Sequence, residues 1–273
     1  MTIARVLIVA GSDSGGGAGI QADIRTVTML GGHPMTAITA ITAQNTLGVQ
    51  AVHPVPVEIV VVQMRSVIDD LGVDGVKIGM IGSADTAHAV ADLLEAMPPC
   101  PIVFDPVMIA TSGATLADEA AIAAFIRLMR LATLVTPNLP EMAALGGEAA
   151  VLAHGAAVLA KGGHGTGSRI EDRLIADGGE TVWTHDRIDT VHTHGTGCTL
   201  ASGIATGLAQ GMALPDACDR AIRYVQSALA AAPHLGAGHG PMGHAIGMTP
   251  YYHLLAATDP DGWDAAAFAA RWS

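Results

Sequence analysis

The stretch Ile3-Ala-Arg-Val-Leu-Ile-Val-Ala-Gly11-Ser-Asp-Ser-Gly-Gly-Gly-Ala-Gly19 decides the fold, because a short apolar run leads directly into a glycine-rich loop. The β-branched and leucine residues of the run 3–9 are typical of a buried strand that ends at the loop. The following segment, residues 20–30, has the pattern of a helix. The start of the chain therefore predicts a strand, a loop and a helix, the repeating unit of an α/β protein.

The loop also contains a partial dinucleotide fingerprint, Gly17-x-Gly19-x-x-Ala22. That motif needs an acidic residue about 20 positions later to bind the ribose, and no acidic residue lies between Asp23 and Glu58. The Gly-Lys-Ser or Gly-Lys-Thr of a P-loop does not occur in the sequence either. We therefore reject a nicotinamide site, and any nucleotide chemistry must use another architecture.

Strands and helices alternate regularly along the rest of the chain, and polar residues follow the strands. These polar residues are Gln44, Asp105, Asn138 and Lys161. Because ligands of open α/β sheets bind at the carboxyl ends of the strands, the four residues mark one ligand-binding edge. The more polar segment 171–185 predicts a hairpin. We predict a single α/β domain over residues 1–273, with a mostly parallel central sheet that helices cover on both faces.

A second glycine-rich turn, His194-Gly-Thr-Gly-Cys-Thr199, leads into an apolar, helix-compatible segment, residues 200–208. The first N–H groups of a helix have no partner within it and lie at the positive end of its dipole, which suits a phosphate. The same field would favour a thiolate at Cys198. The plainer alternative is a loop whose buried cysteine only packs, and the turn alone does not decide between the two.

Composition excludes several classes of protein. The chain of 273 residues is 50% hydrophobic and 14% charged, with a net charge of −12, which argues against a nucleic-acid groove. No run approaches the ~20 apolar residues that cross a membrane. We expect a cytoplasmic protein with no membrane or nucleic-acid partner.

The cysteines and histidines do not indicate a metal site. Cys100, Cys198 and Cys218 have no paired spacing. The twelve histidines lack accompanying ligands at metal-binding spacing, so we expect no histidine-built metal site.

Eight motifs, which arrive in one order and cover nearly the whole chain, carry a family resemblance. They are residues 11–23, 42–45, 76–80, 105–108 with 110–113, 136–141, 161–164, 193–199 and 238–241. Together they resemble the hydroxymethylpyrimidine and hydroxymethylpyrimidine-phosphate kinases of thiamine synthesis, within the ribokinase-like superfamily. The resemblance implies a three-layer α/β/α fold, ATP with magnesium as cofactors, a homodimer, and two successive phosphorylations of one pyrimidine.

The resemblance also implies roles for individual residues. The pyrimidine side would be formed by Gln44, Gly11, Ala18, Met80 and Val107, with Asp23 as a further substrate-side residue. Magnesium and the triphosphate would be organised by Glu141, Asp105, Asn138, Thr136, Lys161 and Gly162. The turn Gly195, Thr196, Gly197 and Cys198 would form the anion hole, with Cys198 as the hypothesised general base for the hydroxymethyl group. Each role has a plainer alternative: a core residue for Met80 and Val107, a helix cap for the carboxylates, and a turn or solvated residue for Gln44 and Lys161.

Two other functions stay open at this point. A pyridoxal or pyridoxine kinase would also phosphorylate a hydroxymethyl group on a six-membered heteroaromatic ring, and a non-catalytic pyrimidine-binding sensor could retain the fold.

The chain also departs from the family pattern. The segment 137–161 is short, which predicts a trimmed helix, and His192 stands where we expect asparagine. A possible added helix near residues 258–273 contains Trp263, Phe268 and Trp272.

Overall fold

The computed structural model describes residues 3–109, 116–164, 167–176 and 179–246. Within these residues nine strands form one sheet. Their bounds are β1 Arg5–Asp13, β2 His33–Asn45, β3 Gly48–Pro54, β4 Gly75–Ile78, β5 Ile102–Phe104, β6 Leu134–Val135, β7 Ala157–Ala160, β8 Arg169–Ala176 and β9 Gly179–Asp186.

Eight helices connect or follow the strands in the same described ranges. They are α1 Gly19–Met29, α2 Val57–Asp70, α3 Ala84–Ala96, α4 Glu119–Leu131, α5 Leu139–Ala144, α6 Glu148–Leu152, α7 Thr196–Ala209 and α8 Leu214–Ala230. Among the helices of the described segments, none combines the length and the hydropathy that a membrane span requires. The expected helix near residues 258–273 and the motif segment 110–113 lie outside the described residues.

The strand order is β3-β2-β1-β4-β5-β6-β7-β8-β9. The pairs from β2 to β7 are parallel, whereas β3 pairs antiparallel with β2, and β8 and β9 extend the other edge as an antiparallel hairpin. The predicted mostly parallel sheet and the predicted hairpin over 171–185 are therefore both confirmed. The six parallel strands end at one edge, which is where the predicted polar residues follow them.

Two apolar cores lie on opposite faces of the sheet. Along β1, Leu7 and Val9 pack in the core that α2, α3 and α4 cover, whereas Val6 and Ile8 pack in the core under α1, α7 and α8. This alternation follows from the two-residue period of a strand, and both sets are buried because helices cover both faces. The three-layer α/β/α arrangement predicted from the resemblance is confirmed.

One strand was not predicted from the sequence, and one segment is built from unusually short helices. Strand β3 was not predicted, because most of its residues are exposed and its hydrophobic pattern gives no sign of a buried face. The segment between Pro137 and Lys161 contains two short helices, α5 and α6, of 6 and 5 residues. This agrees with the expectation of a trimmed helix.

A buried ion pair joins the sheet to the helices below the cavity. Lys77 of β4 lies between two residues that face the other core, so its side chain points toward α1 and α7. Its Nζ lies 2.8 Å from Oδ2 of Asp23 in α1, and both side chains are fully buried. The hydroxyl of Ser202 in α7 donates to the other carboxylate oxygen at 2.6 Å. Burial is the largest single influence and acts to lower the pKa of Lys77, but the charge and hydrogen bond of Asp23 and the charge of Asp105 act with other nearby groups to raise that pKa.

We predict that Lys77→Met destabilises the protein by about 3 kcal/mol, because Asp23 would remain buried without its counter-ion. The free energy of unfolding in urea measures this loss. The matched control is Arg223→Met, which removes the exposed pair of Arg223 with Asp219, 2.7 Å apart. Exposed pairs contribute about 0.5 kcal/mol or less. Equal losses in the two variants would contradict the prediction.

Candidate active site

A cavity of about 740 Å³ opens at the carboxyl edge of the parallel strands. Most of the predicted site residues line it, although they lie far apart in the sequence. They are Gly11, Ala18, Gln44, Met80, Asp105, Val107, Asn138, Glu141, Lys161, Gly195, Thr196, Gly197 and Cys198. The structure thus brings the strand ends and the 194–199 turn together, while the ligand that each residue binds stays a prediction.

Three predicted residues do not line the cavity, and their roles are corrected from ligand contact to support. Asp23 is fully buried in its pair with Lys77, so its carboxylate is not on the substrate side. Thr136 is also buried, and its hydroxyl donates to Oδ1 of Asp105 at 2.9 Å. Gly162 donates its N–H to Oδ1 of Asp172 at 3.0 Å, and a Cβ there would collide with the backbone of the adjacent strand β8.

The 194–199 turn forms the N-terminus of α7. Gly195 is the N-cap with φ of +87°, a conformation that favours glycine. A Cβ at Gly195 would also collide with the carbonyl oxygen of Gly17, so the two glycine-rich loops touch through their backbones. The first helical bond runs from the Thr199 N–H to the Gly195 carbonyl at 2.9 Å. The N–H groups of Gly197 and Cys198 precede that bond, at the positive end of the helix, where they can donate to an anion.

Lys161 connects the turn to two carboxylates. Its Nζ lies 2.7 Å from Oδ1 of Asp105 and 3.8 Å from Oε2 of Glu141, and a Cβ at Gly197 would lie 3.3 Å from the same Nζ. Asn138 and Glu141 form a capping box at the start of α5, in which the side chain of each accepts from the backbone N–H of the other. The polar residues that follow β5, β6 and β7 therefore meet in one cluster beside the 194–199 turn.

The carboxylates of Asp105 and Glu141 are suited to bind a cation that enters the site together with a phosphate group. Burial raises the pKa of Glu141, and the charge of Asp105 adds to this effect, while Lys161 opposes it. A further positive charge would relieve the repulsion between the carboxylates. Among the described residues, no group of three or more His, Cys, Asp or Glu forms a metal cage. Mg²⁺ commonly uses one or two carboxylates together with phosphate oxygens and water, and Asp105 and Glu141 fit that donor set.

Cys198 does not have the acidity that the sequence suggested. Burial raises the pKa of its thiol to about 11. The charge of Lys77 opposes this effect, but Asp23 and Asp105 strengthen it. The expectation that the helix end favours a thiolate is wrong, because the partial charge of the helix end, about half an elementary charge, does not offset lost water and two nearby carboxylates.

Sequence reasoning missed a polar network beside Gln44. Nε2 of His194 lies 2.9 Å from Oδ2 of Asp13 and 2.8 Å from the terminal amide of Gln44. Both Asp13 and His194 line the cavity. Their position beside glycines at the two loops was a weak signal, but nothing local in the sequence indicated that the loops touch.

The part of the cavity toward the β8–β9 edge of the sheet is lined by residues that were also missed. The β8–β9 hairpin and the segment after it contribute Ile170, Asp172, His185, Arg187 and Ile188, and α8 contributes Ile222, Val225, Gln226 and Leu229. This part combines apolar surface with a guanidinium group. The hairpin was predicted, but alternating polar residues on a strand do not show which of them face a ligand.

We predict that alkylation of Cys198 by iodoacetamide is slow at neutral pH and accelerates up to about pH 11, where the thiol ionises. At pH 8 only about one thiol in a thousand would be ionised, since each pH unit below the pKa lowers the thiolate fraction tenfold. Mass spectrometry of the Cys198 peptide measures the rate. The unfolded peptide His-Gly-Thr-Gly-Cys-Thr is the control and should level off near pH ~8.5. A plateau at that pH in the folded protein would contradict the raised pKa.

Comparison with known proteins agrees with this geometry. The sequence model of the phosphomethylpyrimidine kinase family matches residues 13–243. A hydroxymethylpyrimidine/phosphomethylpyrimidine kinase of Streptomyces coelicolor is 49% identical over 254 residues, which cover 88% of this chain and 93% of the relative.

Two solved structures share the fold. The phosphomethylpyrimidine kinase of Clostridium difficile has a TM-score of 0.72 at 36% identity, over 83% of this chain and 99% of the other. The pyridoxal kinase of Bacillus subtilis, solved as an ADP complex, has a TM-score of 0.81 at 30% identity, over 89% and 98% of the two chains. The ribokinase-like fold prediction is thereby confirmed. The chain belongs to the phosphomethylpyrimidine kinase family.

Proposed function

We propose that the protein transfers phosphate from ATP to 4-amino-5-hydroxymethyl-2-methylpyrimidine, and then to the resulting monophosphate, in thiamine biosynthesis. One observation carries the proposal. The Gln44 amide, which can match an aminopyrimidine edge, lies 2.8 Å from His194, the residue directly before the anion-binding turn. A ring bound at Gln44 would therefore hold its hydroxymethyl group close to the N-terminus of α7.

The arrangement suits phosphoryl transfer because that reaction depends mainly on positioning and charge stabilisation. The N–H groups of Gly197 and Cys198 would bind the migrating phosphoryl group, and Lys161 would neutralise its charge from the side. We place the nucleoside in the part of the cavity toward the β8–β9 edge, where Val225 and Leu229 offer apolar surface and Arg187 a positive charge. The two substrates would then meet at the turn between them.

Cys198 remains our proposed base for the hydroxymethyl group, but its raised pKa means that only a small fraction of the thiol is ionised at any time. A thiol with a pKa of about 11 is almost fully protonated at neutral pH, so the thiolate is a strong base that forms rarely. The second phosphorylation does not need it, because a phosphate oxygen is already ionised. Since the transition state is loose, early removal of the hydroxyl proton contributes little to the rate.

We propose that Asp105 and Glu141 hold magnesium together with the triphosphate. Bound magnesium would reduce the repulsion between the nucleotide phosphates and the carboxylates of a chain with a net charge of −12. Lys161 would share this task, and its pKa supports a permanent charge: burial acts to lower that pKa, but Asp105 and Glu141 raise it above the usual value.

We further propose a cytoplasmic homodimer. The antiparallel pair β2–β3 and the turn between its strands expose large apolar side chains at the sheet edge, with Ile41 53%, Leu47 70% and Val52 41% exposed. A second copy could cover such a surface. All three cysteines are free thiols, which suits a reducing compartment.

A coupled assay of ADP release tests the main proposal. We expect kcat/KM for the hydroxymethylpyrimidine and for its monophosphate to exceed that for pyridoxal by at least about tenfold. Pyridoxal is the second candidate, because the Bacillus subtilis pyridoxal kinase shares the fold so closely. Turnover of pyridoxal alone would favour that candidate. Calorimetric binding of the pyrimidine without ADP release would indicate the non-catalytic sensor.

We predict that Glu141→Gln raises the magnesium concentration for half-maximal turnover by roughly tenfold, because one charged ligand is lost. The glutamine oxygen can still accept the Asn138 N–H, which Glu141 accepts at 2.8 Å, so α5 should keep its cap. Initial rates over a magnesium series measure the shift. The control is Glu148→Gln in α6, whose partner is the surface residue Arg173. An unchanged magnesium requirement in Glu141→Gln would show that this carboxylate does not hold the metal.

A further inference from the structure

The polar network around His194 begins at the carboxylate of Asp13. Asp13, at the end of β1, is almost fully buried and accepts three backbone N–H groups of the first glycine loop. These come from Gly15 at 2.8 Å, Gly17 at 3.0 Å and Ala18 at 2.8 Å. Burial acts to raise the pKa of Asp13, but the bonds from His194 and from the loop outweigh it and lower the pKa. Asp13 is therefore an ionised carboxylate with only acceptors to offer.

An ionised Asp13 decides where His194 carries a proton. The ring atom Nε2 lies 2.9 Å from Oδ2 of Asp13. A bare nitrogen there would point its lone pair at a negative oxygen, whereas a protonated nitrogen donates a charge-assisted hydrogen bond. His194 therefore carries hydrogen on Nε2, whatever the state of its other ring nitrogen.

This proton in turn decides the direction of the Gln44 amide. Nε2 of Gln44 lies 2.8 Å from the same ring nitrogen. Two N–H donors repel each other, so the contact is favourable only when the amide turns by 180° and its oxygen shares the Nε2 hydrogen with Asp13. Amide oxygen and nitrogen are assigned from such partners.

The other end of the amide agrees with this direction. The hydroxyl of Thr42 donates to the carbonyl of Ser12 at 2.9 Å, so its oxygen is left to accept. The amide atom facing Thr42 lies 3.4 Å away, and after the turn that atom is the NH₂ donor. Asp13 Oδ2 and the Gln44 oxygen then share the one hydrogen on Nε2 of His194 in a three-centre bond, and the Gln44 NH₂ group faces the Thr42 oxygen.

We propose that Asp13 and His194 are positioning residues that fix the direction of the Gln44 amide and so select a ring with an amino group beside a ring nitrogen. This inference rests on the proposed function. With its direction fixed, the Gln44 amide presents its oxygen, an acceptor, on the side of His194 and its NH₂ group, a donor, on the side of Thr42. An aminopyrimidine edge has the complementary order, because its ring nitrogen accepts and its amino group donates. The 4-oxo ring, with N–H and carbonyl exchanged, would fit only the reversed amide.

Calorimetric binding of the two rings tests the inference. The ligands are 4-amino-5-hydroxymethyl-2-methylpyrimidine and its 4-oxo counterpart, and the measured quantity is the ratio of their Kd values. We expect His194→Leu to reduce the preference for the amino ring by at least about tenfold, because the amide can then turn to meet either ring. The preference should fall mainly through weaker binding of the amino ring and tighter binding of the oxo ring.

A second variant protects the test against a folding defect, since the ring of His194 also packs against Gly17. Thr42→Val removes the acceptor at the other end of the amide and should reduce the same ratio, whereas Thr42→Ser should restore it. The matched control is Thr26→Val, which removes a buried hydroxyl that binds only the Ala22 carbonyl within α1. It should leave the ratio unchanged.

Two results would overturn the inference. One is an unchanged Kd ratio in both His194→Leu and Thr42→Val, even if both rings bind more weakly. The other is a ¹⁵N spectrum of the imidazole that shows Nε2 of His194 without hydrogen in the wild-type protein. If neither ring binds the wild type, the proposed function fails instead, and the spectrum still decides the proton position on its own.

Discussion

The backbone contact between two glycine-rich loops is the constraint on which the rest of the site depends. The carbonyl of Gly17 lies where any side chain at Gly195 would have to be, so the loop after β1 and the start of α7 can meet only through bare backbone. Their contact places Asp13 against His194 and brings Gln44 beside the helix N-terminus. The proposed contacts with the substrate and with the phosphate are therefore parts of one junction between the two loops.

Charge at the site is arranged against the overall field of the protein. The chain has a net charge of −12, yet its proposed ligands include two anions, ATP and the pyrimidine monophosphate. Lys161 and Lys77 lie beside the cavity in pairs with Asp105 and Asp23, and backbone N–H groups add positive potential without a further side chain. The same carboxylates that hold the lysines also keep the nearby thiol protonated. The positive groups beside the cavity would therefore attract a phosphate, while the nearby carboxylates disfavour a negative charge on the thiol of Cys198.

Sequence reasoning located the strand ends well and their finer chemistry poorly. Gln44, Asp105, Asn138 and Lys161 could be placed because parallel strands end at one edge, whatever the details of packing. The acidity of Cys198 could not, because it depends on burial and on carboxylates from other elements. The contact of Asp13 with His194 spans 181 positions and has no local signal. Strand β3 and the ligand-facing side of the hairpin lacked the hydrophobic pattern that identifies such elements.

The long sequence separation of that contact has a consequence for synthesis in the cell. A chain grows from its N-terminus, so β1 and its loop leave the ribosome long before the helix that closes the cavity. Small molecules that need the closed cavity cannot assist the nascent polypeptide. They stabilise only the finished molecule, by mass action. The supply of vitamin precursor would then govern how long completed copies survive proteolysis, and not how efficiently new copies fold.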